Sequence, residues 1–78
     1  MVTAYILVMS ESGAERSVVQ NLLELEFIRD AAIVYGEYDI IAKVRLKDVS
    51  ELSNFIVSNI RGIPGVQRTS TLIVATND

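Results

Sequence analysis

Residues 34–41 read VYGEYDII, in which two apolar runs flank a short polar stretch. This pattern predicts a β-hairpin, because strand-forming runs on either side of a turn pair with each other. Gly36 tolerates the positive φ of a tight reversal, so we place a two-residue turn at Gly36 and Glu37. Tyr38 and Asp39 follow and put a phenol and a carboxylate at the end of an apolar sheet. A polar turn with no further role is the simpler alternative.

Around this hairpin, the hydrophobic periodicity alternates between strand and helix. Residues 2–9 and 66–75 predict the first and last strands, and residues 31–35 and 38–46 predict the strands of the hairpin. Residues 76–78 are expected to fray. Apolar residues at helical spacing predict one helix on each side of the hairpin. They are Ala14, Val18, Val19, Leu22, Leu23 and Leu25 in the first helix, and Val49, Leu52, Phe55, Ile56 and Ile60 in the second.

Capping signals define the predicted helix ends. Ser12 and Glu15 have capping-box spacing at the start of the first helix, and Asp48 and Glu51 repeat it for the second. Gly62 is expected to end the second helix in the left-handed conformation.

The resulting element order is βαββαβ in one domain spanning residues 1–78. Right-handed crossovers place both helices on one face of a four-stranded antiparallel sheet with strands 1 and 3 central, the ferredoxin-like α+β sandwich. The strand face that should meet the helices is formed by Ile40, Ala42, Val44 and Leu46. Lys43 and Arg45 lie on the opposite face among large apolar residues. A chain this short buries on folding only about 60% of the surface that its unfolded form exposes. We therefore expect two copies to dimerise through these uncovered sheet faces.

Composition excludes several functions. The chain has no cysteine and no histidine, so it lacks thiolate chemistry, the usual general base and the commonest metal ligand, and we predict no cofactor. Its net charge is −3 and its seven basic residues are scattered, which argues against direct nucleic-acid binding. No apolar run approaches the ~20 residues of a membrane span, and no signal peptide is evident. We expect no membrane association and a cytoplasmic location.

Candidate catalytic and metal groups are few. Glu37 and Asp39 are neighbouring carboxylates, but no third group is placed to orient them, so no catalytic residue is predicted. An all-oxygen metal site would need Asp30 as well and lacks the EF-hand pattern. The Gly-Ile-Pro-Gly-Val run at 62–66 lacks dinucleotide-binding spacing and is better explained as a helix stop and strand start.

Hydroxyl groups on the last strand offer a second half-site. Thr69 and Thr71 share one face of the strand and Arg68 the other, although cross-strand threonine pairing is a structural alternative. If residues 36–39 of one subunit met residues 68–71 of another, the set would suit a zwitterion. The Asp39 carboxylate would bind an ammonium group, and hydroxyls or backbone amides would bind a carboxylate.

These stretches together resemble a known family. Residues 5–8 (YILV), the hairpin at 34–41, residues 63–66 (IPGV) and residues 69–71 (TST) are similar to the effector-binding RAM domain of the Lrp/AsnC transcription regulators. The resemblance covers nearly the whole chain. Family members normally carry an N-terminal helix-turn-helix domain, whereas this chain starts at the strand and so resembles the stand-alone members.

The resemblance implies dimers formed through the sheets and rings of four or five dimers, an octamer or decamer. It also implies amino-acid effectors held at the contacts between dimers. Carried over by position, one wall of that pocket is Gly36, Tyr38 and Asp39, with Glu37 between them. Candidates for the other wall are Gly65, Val66, Arg68, Thr69 and Thr71.

Three functions are consistent with these features. The first is an amino-acid sensor that modulates transcription indirectly. The second is an assembly module without a ligand, which joins rings of full-length Lrp/AsnC regulators. The third is an enzyme of the dimeric ferredoxin-like monooxygenase type, which the absence of histidine, cysteine and tryptophan disfavours. An ACT-type amino-acid-binding domain is a near neighbour of the first.

Overall fold

The computed structural model describes residues 1–76, and the element order is βαββαβ. The elements are β1 (Val2–Ser10), α1 (Glu15–Leu23), β2 (Ile28–Ile33), β3 (Ile40–Leu46), α2 (Ser50–Phe55) and β4 (Val66–Ile73). A π-helical segment, Ile56–Ile60, continues α2 directly. The predicted ferredoxin-like α+β fold is confirmed. Of the predicted fraying tail, Asn77 and Asp78 lie outside the described residues.

The four strands form one antiparallel sheet in the order β2-β3-β1-β4, so the central strands are those predicted. The pairing of β1 with β3 runs from Val2 opposite Leu46 to Val8 opposite Ile40. On its other side β1 pairs with β4, which places Val8 opposite Thr69. The two edges of the sheet are therefore β2 and β4.

One face of this sheet forms the core with the helices. The predicted apolar face of β3 is fully buried, and Ile6 and Val8 of β1 join it. From the helices, Val18 and Leu22 of α1 and four residues of the second helix are buried: Leu52, Phe55, Ile56 and Ile60. Leu23 and Val49 were expected in these apolar stripes, but each is 50% exposed.

The predicted cap of α1 is wrong. The N-cap is Ala14 and makes no side-chain cap bond, so Ser12 lies two residues outside the helix. The chain turns first at Gly13, whose φ is +89°, and only then enters the helix. Glu15 does accept a backbone hydrogen bond, but from Gly13 N–H at 3.0 Å.

Both ends of the second helix also differ from the prediction. Its N-cap is Val49, and the carboxylate of Asp48 accepts a hydrogen bond from the Ser50 hydroxyl instead of from a backbone amide. Gly62 is not in the left-handed region. The helix ends instead by widening, since Arg61 N–H donates to a carbonyl five residues back at 3.0 Å.

Strand boundaries shift by two or three residues at several ends. β2 starts at Ile28 rather than at residue 31, because Phe27 returns the chain to the core. Its ring packs edge-to-face against Phe55 at 5.5 Å between centroids. β3 starts at Ile40, two residues later than predicted, and β4 ends at Ile73, two residues earlier.

The sheet face opposite the helices is mixed, as expected. Tyr5, Leu7 and Ile41 are half-buried there, and Leu72, opposite Tyr5 in the ladder, is 53% exposed. Within residues 1–76, no helix has the length and apolar character needed to cross a membrane.

Candidate functional site

The hairpin tip extends beyond the β2–β3 ladder. Val34 N–H donates to the Asp39 carbonyl at 2.8 Å, and continuing this register places Gly36 and Glu37 at the reversal. Gly36 has a φ of +141°, which confirms the positive φ expected there. Tyr35, which was not a predicted site residue, exposes its whole side chain beside the tip.

Asp39 is bound to the end of β1 by two hydrogen bonds. Its backbone N–H donates to the Val8 carbonyl at 3.0 Å, and its Oδ2 accepts from Ser10 N–H at 2.9 Å. The β1–β4 register shifts between Met9 and Ser10, so the Ser10 amide lies where the ladder becomes irregular. The carboxylate is thereby fixed, and its Oδ1 has no hydrogen bond among residues 1–76.

A cavity of about 360 Å³ opens beside Asp39. It lies between the start of α1 and the hairpin and is lined by Gly13, Glu15, Arg16, Ile33, Val34, Tyr35 and Asp39. This volume is within the range of small-molecule sites, about 300–1,000 Å³. Glu15 is engaged with Gly13, whereas Arg16 has no ion pair in the described chain. One guanidinium, Arg16, and two carboxylates, Asp39 and Glu15, therefore open onto the same cavity.

The predicted hairpin residues do not all meet there. Asp39 lines the cavity, while Gly36, Glu37 and Tyr38 do not. Gly36 and Glu37 are exposed at the tip, and Tyr38 is half-buried. Arg16 was missed because the sequence places it on the polar side of an amphipathic helix, where a charge is ordinary.

The predicted second wall lies across β1 from Asp39. Val66, Arg68 and Thr69 line a separate cavity of about 410 Å³. Thr69 is opposite Val8, whose carbonyl binds the Asp39 amide on its other side. At a strand spacing of about 4.8 Å, this separates the two half-sites by roughly 10 Å within one chain.

Sequence comparison assigns this chain to a family. The profile of the Lrp/AsnC ligand binding domain matches residues 3–77. The chain belongs to this family. Of the transcription regulators that resemble it, FL11 from Pyrococcus abyssi is 38% identical over 71 residues, which are 91% of this chain and 46% of the regulator. The chain thus spans about half the length of the curated relatives it matches.

A solved structure and part of an enzyme are also similar to this Lrp/AsnC domain. The crystal structure of the protein PHS023 from Pyrococcus horikoshii is 43% identical, with a TM-score of 0.89 over 99% of this chain and 93% of that one. A homocitrate synthase from Sulfolobus acidocaldarius is 38% identical over 58 residues, but these are only 12% of that enzyme. The family match and the similarity to FL11 show that the domain is homologous to the regulatory domains of transcription regulators.

Gly65, a predicted ligand residue of the Lrp/AsnC domain, has a packing role. Its φ is +96°, and a Cβ there would lie 2.8 Å from Ala14 Cβ and 3.2 Å from Val18 Cγ2. Its carbonyl accepts a hydrogen bond from Glu11 N–H at 2.8 Å. The absence of a side chain lets the start of α1 approach the loop before β4.

The all-oxygen metal site considered from the sequence finds no support in the structure. No three carboxylates among residues 1–76 converge closely enough to hold a metal ion. Thr71, the last predicted residue, lies on the helix-side face of β4 and lines a groove beside the second helix.

Proposed function

We propose that this Lrp/AsnC domain senses a free amino acid at Asp39 and transmits binding through its assembly with other subunits. The observation that supports this is the pairing of charges across one cavity. The fixed Asp39 carboxylate and the Arg16 guanidinium line the same space, and the second carboxylate there, Glu15, already accepts a hydrogen bond from Gly13 N–H. In this proposal Oδ1 of Asp39 accepts from the α-ammonium group, and Arg16 donates to the α-carboxylate.

Both charges are available for a ligand. Asp39 uses one oxygen for Ser10 N–H, and neither Asp39 nor Arg16 is in an ion pair within the described chain. The side chain of the amino acid would contact the hairpin wall formed by residues 33–35. A joint pocket with β4 of a second subunit remains a prediction that depends on the assembled state.

Homo-oligomers are the second part of the proposal. Tyr5, Leu7, Ile41 and Leu72 form an apolar strip on the sheet face that carries no helix. Pairing two such faces removes this surface from water and gives a two-fold dimer. We propose that these dimers assemble further into rings of four or five, as the family resemblance implies, and that effector binding changes this equilibrium.

Calorimetry with individual amino acids tests the sensor function. Asp39→Asn retains an oxygen that can accept the Ser10 N–H bond but removes the charge that binds ammonium. We expect its affinity for the active amino acid to fall at least about tenfold, with Arg16→Gln falling similarly. Arg29→Gln, an exposed charge loss on β2, is the matched control. Unchanged affinity in folded Asp39→Asn protein would refute the proposal.

An assembly module without its own ligand is the alternative. It is favoured by the match to FL11, whose corresponding half has 38% identity over 91% of this chain. Such similarity would allow mixed sheet-face dimers with a full-length regulator. Native mass spectrometry of this chain mixed with FL11 would detect them, and complexes that remain strictly separate would argue against co-assembly.

A further inference from the structure

Two arginines line a cavity that, within one chain, is separate from the Asp39 cavity. Arg61, at the end of the π-helical segment, and Arg68, on β4, line the space of about 410 Å³ together with Val66, Gln67 and Thr69. None of these residues is acidic, and neither arginine has an ion pair among residues 1–76. Positive charge is therefore concentrated here in a chain whose net charge is −3.

Arg61 also borders a second space with different chemistry. A groove of about 310 Å³ runs between the second helix and β4. Apart from Arg61, Ser53 and Thr71, its lining is apolar: Val49, Leu52, Ile56, Val57 and Ile73. Val57 is 56% exposed and Ile73 is 46% exposed, so these walls are open to a ligand. The cationic cavity and the apolar groove meet at Arg61.

We propose that these adjoining spaces bind a monocarboxylate with an aliphatic tail. Arg61 holds the carboxylate by charge-assisted hydrogen bonds, and the Thr69 hydroxyl, on the same face of β4 as Thr71, donates a further one. Arg68 starts from the other face of this edge strand and adds positive charge at the rim of the cavity. The tail lies in the groove against Val57 and Ile73. This site is separate from Asp39 and goes beyond the proposed amino-acid sensing.

The lining also determines what the site rejects. An α-amino acid brings an ammonium group next to its carboxylate, and neither space has a carboxylate in its lining to receive it. Desolvating that ammonium beside two guanidinium groups is unfavourable. The site therefore selects an aliphatic carboxylate over the corresponding amino acid, which is the opposite preference to that of the Asp39 cavity.

Saturation-transfer NMR on the full chain tests this with hexanoate, acetate and hexylamine. A fully buried methylene group strengthens binding about fourfold, so partial burial of the hexanoate tail should make it at least about tenfold tighter than acetate. Hexylamine should not bind. Equal affinity for acetate and hexanoate, or binding of hexylamine, would overturn the proposal.

Variants locate the site on the protein. Arg61→Ala should weaken hexanoate binding about tenfold and Arg61→Lys less, whereas Arg45→Ala, on β3 and in the lining of neither space, should leave it unchanged. Equal effects of Arg61→Ala and Arg45→Ala would refute the assignment.

Measuring both ligands on both variants distinguishes the Asp39 site from the carboxylate site. Asp39→Asn should leave hexanoate binding intact, and Arg61→Ala should leave amino-acid binding intact. If each variant weakens both ligands, one intersubunit site replaces the independent one proposed here. If no amino acid binds but hexanoate binding still requires Arg61, the sensor proposal fails and this one stands.

Discussion

The backbone N–H of Ser10 donates a hydrogen bond of 2.9 Å to Oδ2 of Asp39, which is 29 residues further along the chain. The backbone N–H of Asp39 donates in turn to the Val8 carbonyl. Asp39 therefore closes the hairpin onto the end of β1 with both its main chain and its side chain. A residue proposed to bind ligand also completes the sheet, so effects on binding and on folding need separate variants.

Asp39→Ala should lower the free energy of unfolding by about 1–3 kcal/mol, because the Ser10 amide loses its acceptor in a partly buried position. Asp39→Asn should cost less, since its amide oxygen can accept the same bond. Urea unfolding of both variants checks this. Glu37→Ala, at the exposed hairpin tip, is the control and should stay within about 0.5 kcal/mol of the parent. Equal losses in the Ala and Asn variants would contradict the structural role of the bond.

Gly65→Ala should be among the most destabilising single substitutions in the chain. It adds a Cβ at a φ of +96° and places it 2.8 Å from Ala14 Cβ. The left-handed conformation costs about 1–2 kcal/mol and overpacking adds about 1–3 kcal/mol. Gly13→Ala is the matched control, because its φ is +89° but no atom lies within 4 Å of the added Cβ. Thermal unfolding should separate the two, and equal effects would rule out the close contact.

The fold was predictable because its pattern is periodic. Alternation along β3 puts Ile40 and Val44 on one face and Lys43 on the other, and burial follows that alternation. Val18 and Leu22 repeat at helical spacing and are both fully buried. Such patterns average over many residues, so single exceptions do not change the element type or the order of the elements.

Helix ends were less predictable because they depend on one or two residues. Gly62 has the sequence position of a stop signal, but of the two glycines that follow the second helix it is Gly65 that adopts positive φ. The difference arises from tertiary packing, since Gly65 is the one that α1 approaches closely. The π-helical widening after Phe55 has no clear local signal at all.

The residues of the proposed sites differ in how visible they are in the sequence. Asp39 was evident because a carboxylate beside a tight turn is conspicuous in an apolar sheet. Arg16 and Arg61 were not evident from the sequence. Arg16 lies on the polar side of α1 and Arg61 lies at the end of the second helix, and charged residues are common at both kinds of position. Only the topology, which places the start of α1 beside the hairpin and the end of the second helix beside β4, reveals their cavities.

Ser10→Ala should be neutral or stabilising. The Ser10 side chain is buried, with 8% of the residue exposed, and its hydroxyl has no hydrogen-bond partner within the described chain. Removing an unsatisfied buried hydroxyl recovers its desolvation cost, about 1 kcal/mol, while the backbone bond to Asp39 remains. Chemical denaturation measures the change, with the exposed Ser53→Ala as the control. A clear loss of stability would show that the hydroxyl makes a bond in solution.

Leu7→Lys should dissociate the proposed sheet-face dimer. Leu7 lies on central strand β1, opposite Ile41 and Ser70 on the face without helices, so two paired faces would bury the introduced ammonium group. Burying a charge without a partner should cost about 2–4 kcal/mol of association free energy, roughly 30- to 1,000-fold in Kd.

Sedimentation equilibrium distinguishes this loss of association from unfolding. Leu23→Lys is the matched control, because Leu23 is 50% exposed and lies on α1 rather than on the sheet. We expect folded monomers for Leu7→Lys and unchanged assembly for Leu23→Lys. If both remain fully assembled, the sheet face is not the interface. If only Leu23→Lys dissociates, the subunits associate through their helices, and the apolar strip on the sheet needs another explanation.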